Sequence, residues 1–173
     1  MAGILSNLFQ KRWTLSDIMN VDASRQQKSS GCSTYLEEVY VELVPEGILD
    51  KFKKFFTRNK AVMNTMFVIF KFGCSSETGH SYPIYMRLRY DPDGVLYTRN
   101  TCQIYCGCAD FKFKSAWTLN QHSSLFRSER TELELGPAIT NAPKRKSNTT
   151  LCKHSYSAVM FLINNYQSLM RNV

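Results

Sequence analysis

The sequence predicts an α+β domain: a small antiparallel sheet with helices packed beside it, preceded by an extended N-terminal arm. Three observations carry this. Several runs alternate apolar and polar residues with the period of a strand. A turn of the form Asp91-Pro-Asp-Gly94 joins two of them, with proline setting φ and glycine closing the turn. The C-terminal segment instead carries one apolar stripe at helical spacing.

The arm is residues 1–34, and the domain is residues 35–173. Ile4, Leu5, Leu8 and Phe9 make a small apolar tip, and Thr14-Leu-Ser-Asp17 fits a helix start. From Asp22 to Ser33 the chain is polar and without periodicity, which reads as a linker. Such an arm either clasps a neighbouring subunit or is a frayed terminus.

Glu38 to Val44 alternates and is predicted as a strand, ended by Pro45-Glu-Gly47. Ile48, Leu49, Phe52, Phe55 and Phe56 recur at helical spacing. Met66 to Phe72 is almost continuously apolar, as expected of a central strand. Tyr82 to Tyr90 alternates again, and Val95 to Tyr105 is its expected hairpin partner. Residues 111–151 read as long and irregular, with a helix at Ala116 to Gln121 and breaks at Gly136-Pro137 and Asn141-Ala-Pro143. Ser155 to Met170 closes the chain as a helix with Val159, Leu162, Ile163, Tyr166, Leu169 and Met170 on its apolar stripe.

Composition bounds what such a domain can do. Hydrophobic residues make up 43% of 173 residues, enough for a real core rather than a disordered chain. The formal charge is +8, which suits contact with nucleic acid or an acidic protein surface and equally suits simple solubility. Lys51, Lys53, Lys54, Arg58 and Lys60 form the densest basic cluster, and Lys144, Arg145 and Lys146 a second one. Either cluster can meet phosphate or be a solvated face. No segment approaches the roughly 20 apolar residues of a membrane span, so no membrane partner is expected. The N-terminus lacks the pattern of a signal peptide. Six cysteines in a chain without that pattern are expected to be thiols or metal ligands rather than a disulfide framework.

Four residues stand out chemically. Cys106-Gly-Cys108 and Cys152-Lys-His154 offer three thiolates and one imidazole, a complete tetrahedral set for one structural zinc ion. Positions i and i+2 of a flat strand lie about 6.6 Å apart. Zinc holds each sulfur at about 2.3 Å, so Cys106 and Cys108 share a metal only where the strand bends. Gly107 permits that bend. On a helix, i and i+2 point about 200° apart. Cys152 is therefore predicted just before the final helix, with His154 in its first turn. The positive helix N-terminus favours a thiolate there. Asp110 is a candidate for orienting His154 from behind, or for capping the segment from Phe111. Cys102 lies roughly 13 Å before Cys106 by strand rise, so both do not bind one metal. His122 is a second competing ligand. Cys32 and Cys74 read as buried free thiols.

The set looks closed, with no open position of the kind a catalytic zinc keeps. Gly-rich phosphate loops, His-Glu-x-x-His and Gly-x-Ser-x-Gly are all missing from the sequence. The expectation is a protein that is not an enzyme.

Cys106-x-Cys108 followed by Cys152-x-His154 resembles the SWIM-type zinc motif, a CxC…CxH arrangement implicated in DNA and protein binding. A closer resemblance is to SWIM-like proteins of tailed bacteriophages, carried by Cys106-Gly-Cys108-Ala-Asp110-Phe111-Lys-Phe113, Thr140-Asn141-Ala-Pro143 and Leu151-Cys152-Lys153-His154. It covers roughly residues 82–165. The resemblance implies a structural component of the virion (neck, tail or baseplate), assembled in the host cytoplasm. Its implied partners are other virion proteins in a symmetric ring or complex. The alternative is a nucleic-acid-binding module that uses the two basic clusters.

Overall fold

A computed structural model describes residues 13–19, 23–44, 65–90, 96, 100–141 and 150–171. It is an α+β fold in which a four-stranded antiparallel sheet packs against a long C-terminal helix. The strands are β1 (Ser33–Val44), β2 (Thr65–Ser75), β3 (Ser81–Arg89) and β4 (Cys102–Cys106), in the order β1-β2-β3-β4. Each strand thus pairs with its neighbour in sequence, the simplest meander.

The near-continuous apolar run of β2 has a clear cause. Val68, Phe70, Phe72 and Cys74 are buried on one face, and Ile69 is buried on the other. The strand is central, as its composition predicts. On β3 the alternation is clean, with Ile84, Met86 and Leu88 buried and Arg87 and Arg89 pointing the other way. Its partner β4 pairs in antiparallel register from Leu88↔Cys102 to Ile84↔Cys106. The expected turn at 91–94 and the expected helix at 48–56 lie outside the described residues, as do both basic clusters.

The first strand begins earlier than its alternation suggests, at Ser33 rather than Glu38. A bulge between Leu36 and Glu38 explains why. One extra residue shifts the pleat, so the inward positions jump phase and a period of two no longer runs through. Residues 33–36 still pair, through Ser33↔Ser75 to Leu36↔Phe72.

The helices are α1 (Leu15–Ile18), α2 (Ala23–Ser29), α3 (Ala109–Lys114), α4 (Ala116–Gln121), α5 (Glu129–Leu135) and α6 (Lys153–Met170), with a 3-10 turn at Gly136–Ile139. Helix α6 covers the sheet. Phe161 meets Phe72 edge-on at 5.9 Å between centroids, and Tyr166 meets Phe70 at 6.2 Å. Of the predicted stripe, Val159, Leu162 and Tyr166 are buried and Ile163, Leu169 and Met170 are partly buried against the same core.

Two parts of the expected arm are built into the domain. Thr14 caps α1 in a reciprocal capping box with Asp17, and Leu15 and Ile18 are both fully buried. Thr14 also bridges to Thr101, and the Leu15 amide donates to the Asn100 carbonyl at 2.9 Å. Residues 23–29, expected as linker, form α2 and pack against α6. Apart from Ala23 their composition is polar, so no apolar period marks the helix. The apolar tip at Ile4 to Phe9 lies outside the described residues.

The excursion after β4 is more regular than predicted. Helix α4 occupies the expected residues, but α3 and α5 were not foreseen. Each is under two turns and shows too little periodicity to read. Their starts are fixed by caps: Cys108 for α3, and a Ser128–Thr131 capping box for α5. Buried Tyr105 on β4 donates its hydroxyl to Glu134, which ties α5 back to the sheet.

Burial of Leu15 tests the docking of α1. Leu15→Ala should lower the unfolding free energy by about 2–5 kcal/mol in urea titration; a change near zero would mean that α1 does not belong to the core.

Candidate metal centre

The first ligand pair is set by the end of β4. Cys106 is the last residue of the strand, paired with Ile84, and is 1% exposed. The chain then turns away. The Gly107 amide donates to the Pro83 carbonyl at 3.0 Å, which holds the turn to β3. Gly107 does not adopt a left-handed conformation. The need for glycine is steric: a Cβ there would lie 3.1 Å from Pro83 Cδ and 3.2 Å from Cγ. Cys108 then caps α3, its sulfur accepting the Phe111 amide at 3.3 Å.

The second pair is set by the start of α6. Cys152 is the N-cap, with extended φ/ψ of −81° and 171°. Its sulfur accepts the Ser155 amide at 3.4 Å, while the Ser155 hydroxyl accepts the Cys152 amide at 3.0 Å. His154 follows in the first turn and is buried. The sequence placed both residues in these positions. Cysteine sulfur thus does at two helix starts what a serine or aspartate oxygen ordinarily does.

Across the fold, the two pairs meet. One ligand atom from each of Cys106, Cys108, Cys152 and His154 lies within 4.8 Å of all the others, and all four residues are buried. Sulfurs around a tetrahedral zinc sit about 3.8 Å apart, from bonds of about 2.3 Å. The cluster therefore reaches metal geometry by a small contraction.

His154 offers an independent check of fit. Its Nδ1 and Nε2 are both buried and neither has a hydrogen-bond partner. Buried polar nitrogens are nearly always paired, because leaving one unpaired costs about 1–3 kcal/mol. A cation bound at the three sulfurs resolves one of the two. Burial pushes the Cys106 thiol well up, and hydrogen bonds from the Cys106 and Cys152 thiols hold Cys108 well down. Thiol ligands bind a metal as thiolates, so metal binding at this cluster would release protons. The donors fit one thiophilic metal ion; a set rich in sulfur with one imidazole is a zinc-type shell.

The other sequence candidates fall elsewhere. Asp110 makes no hydrogen bond to His154, whose ring nitrogens have no protein partner. It instead reaches Lys114 at 2.5 Å, one turn along α3, because the i,i+4 spacing puts that ammonium on the same exposed face. Cys102 is buried away from the cluster, its thiol pushed up by desolvation. His122 stacks on Trp13 at 3.8 Å and 15°, a packing role. Cys74 is buried, and its sulfur accepts from Thr34 Oγ1 at 3.4 Å. Half-buried Cys32 lies in hydrogen-bonding contact with Cys74, and burial together with that neighbour pushes its thiol up to about 11. Sequence reasoning passed over Pro83, Tyr82 and Ser155. Ser155 completes the cap at Cys152, but a cysteine N-cap is not a usual capping signal; the other two act only through tertiary contact.

No protein-family model, curated protein or solved structure matches the chain. The CxC…CxH pattern is accordingly present here as a three-dimensional buried cluster, and the comparisons add no family to it. Among the described residues, no helix is long and apolar enough to cross a membrane.

Two outcomes test the centre. Elemental analysis of purified protein should find about one zinc per chain, falling below half in Cys152→Ser, since structural sites bind tightly at neutral pH. Gly107→Ala should weaken zinc binding measured by chelator competition, because its methyl presses on Pro83 and opens the turn between Cys106 and Cys108; unchanged affinity would show that Pro83 yields freely.

Proposed function

We propose that the chain is a zinc-stabilised structural protein that makes protein-protein contacts in an assembly. Zinc held by Cys106, Cys108, Cys152 and His154 clasps the end of the sheet to the start of α6. The observation that carries this reading is closure of the site. Three sulfurs and one imidazole complete a tetrahedral shell, and none of the four residues is more than 5% exposed. A catalytic zinc keeps a position for water or substrate. Here the protein supplies every ligand, so the metal's contribution is to folding, and we propose no catalytic role.

What the clasp supports is surface. Its ends are joined by the chain of α3, α4 and α5, which bears Phe113 at 66% and Leu133 at 84% exposed. Edge strand β1 exposes Tyr35, Tyr40, Val41 and Leu43. Apolar side chains in these places support a protein partner better than a phosphate backbone. On the resemblance to SWIM-like phage proteins we extend the proposal to the virion, as a component of the neck, tail or baseplate that contacts other virion proteins in a ring or complex.

Quantitative mass spectrometry of purified particles tests this directly. The chain should be present at a fixed copy number per particle and should stay bound in salt that abolishes phosphate-driven contacts. Finding it only in the infected cell, together with tight, salt-sensitive DNA binding by the isolated chain, would replace this reading with the nucleic-acid one.

A further inference from the structure

We infer that Tyr82, on a strand that supplies no ligand, is the positioning residue of the metal centre, and that it fixes the His154 imidazole by ring contact rather than by a hydrogen bond. The inference rests on the metal reading above. Metal-bound histidines ordinarily donate their second N–H to a carboxylate, a carbonyl or water, and that bond sets the ring angle. In this protein neither ring nitrogen of His154 bonds a protein group. The ring is buried all the same. Its orientation has to come from packing.

Tyr82 supplies that packing. Its ring lies 4.7 Å from the imidazole, centroid to centroid, and is tilted by 45°. This is within the range at which aromatic rings attract. A phenol face is electron-rich, so it favours an imidazole made more positive by a bound cation.

The strand holds Tyr82 in place. Tyr82 pairs with Cys74 in the β2–β3 register, and the next residue, Pro83, pairs with Gly73. Pro83 also accepts the Gly107 amide and fills the space over Gly107. Consecutive residues of β3 thus touch the two halves of the centre, Pro83 at Cys106-Gly-Cys108 and Tyr82 at Cys152-Lys-His154. One rigid strand sets the distance between the pairs before metal arrives. Ordinary core packing would make a different prediction: loss of the ring would lower stability and leave the metal's ligand field alone.

Cobalt(II) is the probe, because its spectrum reports both thiolate ligation and tetrahedral geometry. The wild-type chain should show thiolate charge-transfer and tetrahedral d–d bands. Tyr82→Phe should match it, since the hydroxyl has no part in the contact. Tyr82→Leu should bind cobalt about 10-fold or more weakly, the usual scale for a lost outer partner. Its d–d bands should move toward those of His154→Ala, with apo-protein circular dichroism as in Tyr82→Phe. Wild-type affinity and bands in Tyr82→Leu would overturn the inference. Absence of thiolate bands in the wild type would instead sink the metal reading itself. If Tyr82→Leu does not fold, the imidazole proton resonances of His154 in zinc-loaded wild type decide: ring current from Tyr82 should move them away from their ordinary positions, and ordinary positions would overturn the contact.

Discussion

Three sulfurs and an imidazole brought together out of water make a demanding constraint on this fold. Burial disfavours the charged form of the Cys106 thiol and pushes it well up. It also strands both nitrogens of His154. A divalent cation reverses these penalties at once: it favours the thiolates, takes one nitrogen and joins residues far apart in sequence. The same groups that weigh against folding without metal then become a crosslink between β4 and α6. Zinc-bound cysteine and histidine sets are folding energy for this reason.

The rest of the architecture serves that meeting point. Strand β3 receives β4 in register, and Pro83 bends the chain at Gly107. Cys108 and Cys152 belong to the buried cluster and are helix caps as well. Their sulfurs accept backbone amides that helix starts leave unpaired. Helix direction is thereby coupled to the cluster. A change at either cysteine removes a ligand and loosens a helix start together, so the centre and its two helices should form as one unit.

Much of this was legible in the sequence, and particular residues show why. The i, i+2 spacing of Cys152 and His154 does not fit a helix interior, which places Cys152 at the cap and His154 in the first turn, as found. The central position of β2 and the stripe on α6 follow from apolar patterning. Other features are hidden for physical reasons. The bulge after Leu36 breaks the phase of β1, so its first residues look like linker. Helices α3 and α5 are too short to show a period, and α3 is capped by cysteine, which is not a usual capping signal. Gly107 was read as a hinge, whereas its neighbour Pro83 sets the requirement. Asp110 sits beside the motif in sequence, yet its carboxylate goes to Lys114. Nearness along the chain did not predict the company His154 keeps; Tyr82, from a different strand, holds that place.

X-ray absorption at the zinc edge of the loaded protein reads the closed shell of three sulfurs and one imidazole directly. The zinc should be four-coordinate, with three sulfurs at about 2.3 Å and one nitrogen at about 2.0 Å. Fewer than three sulfurs, or a fifth or oxygen ligand from solvent, would contradict the closed shell.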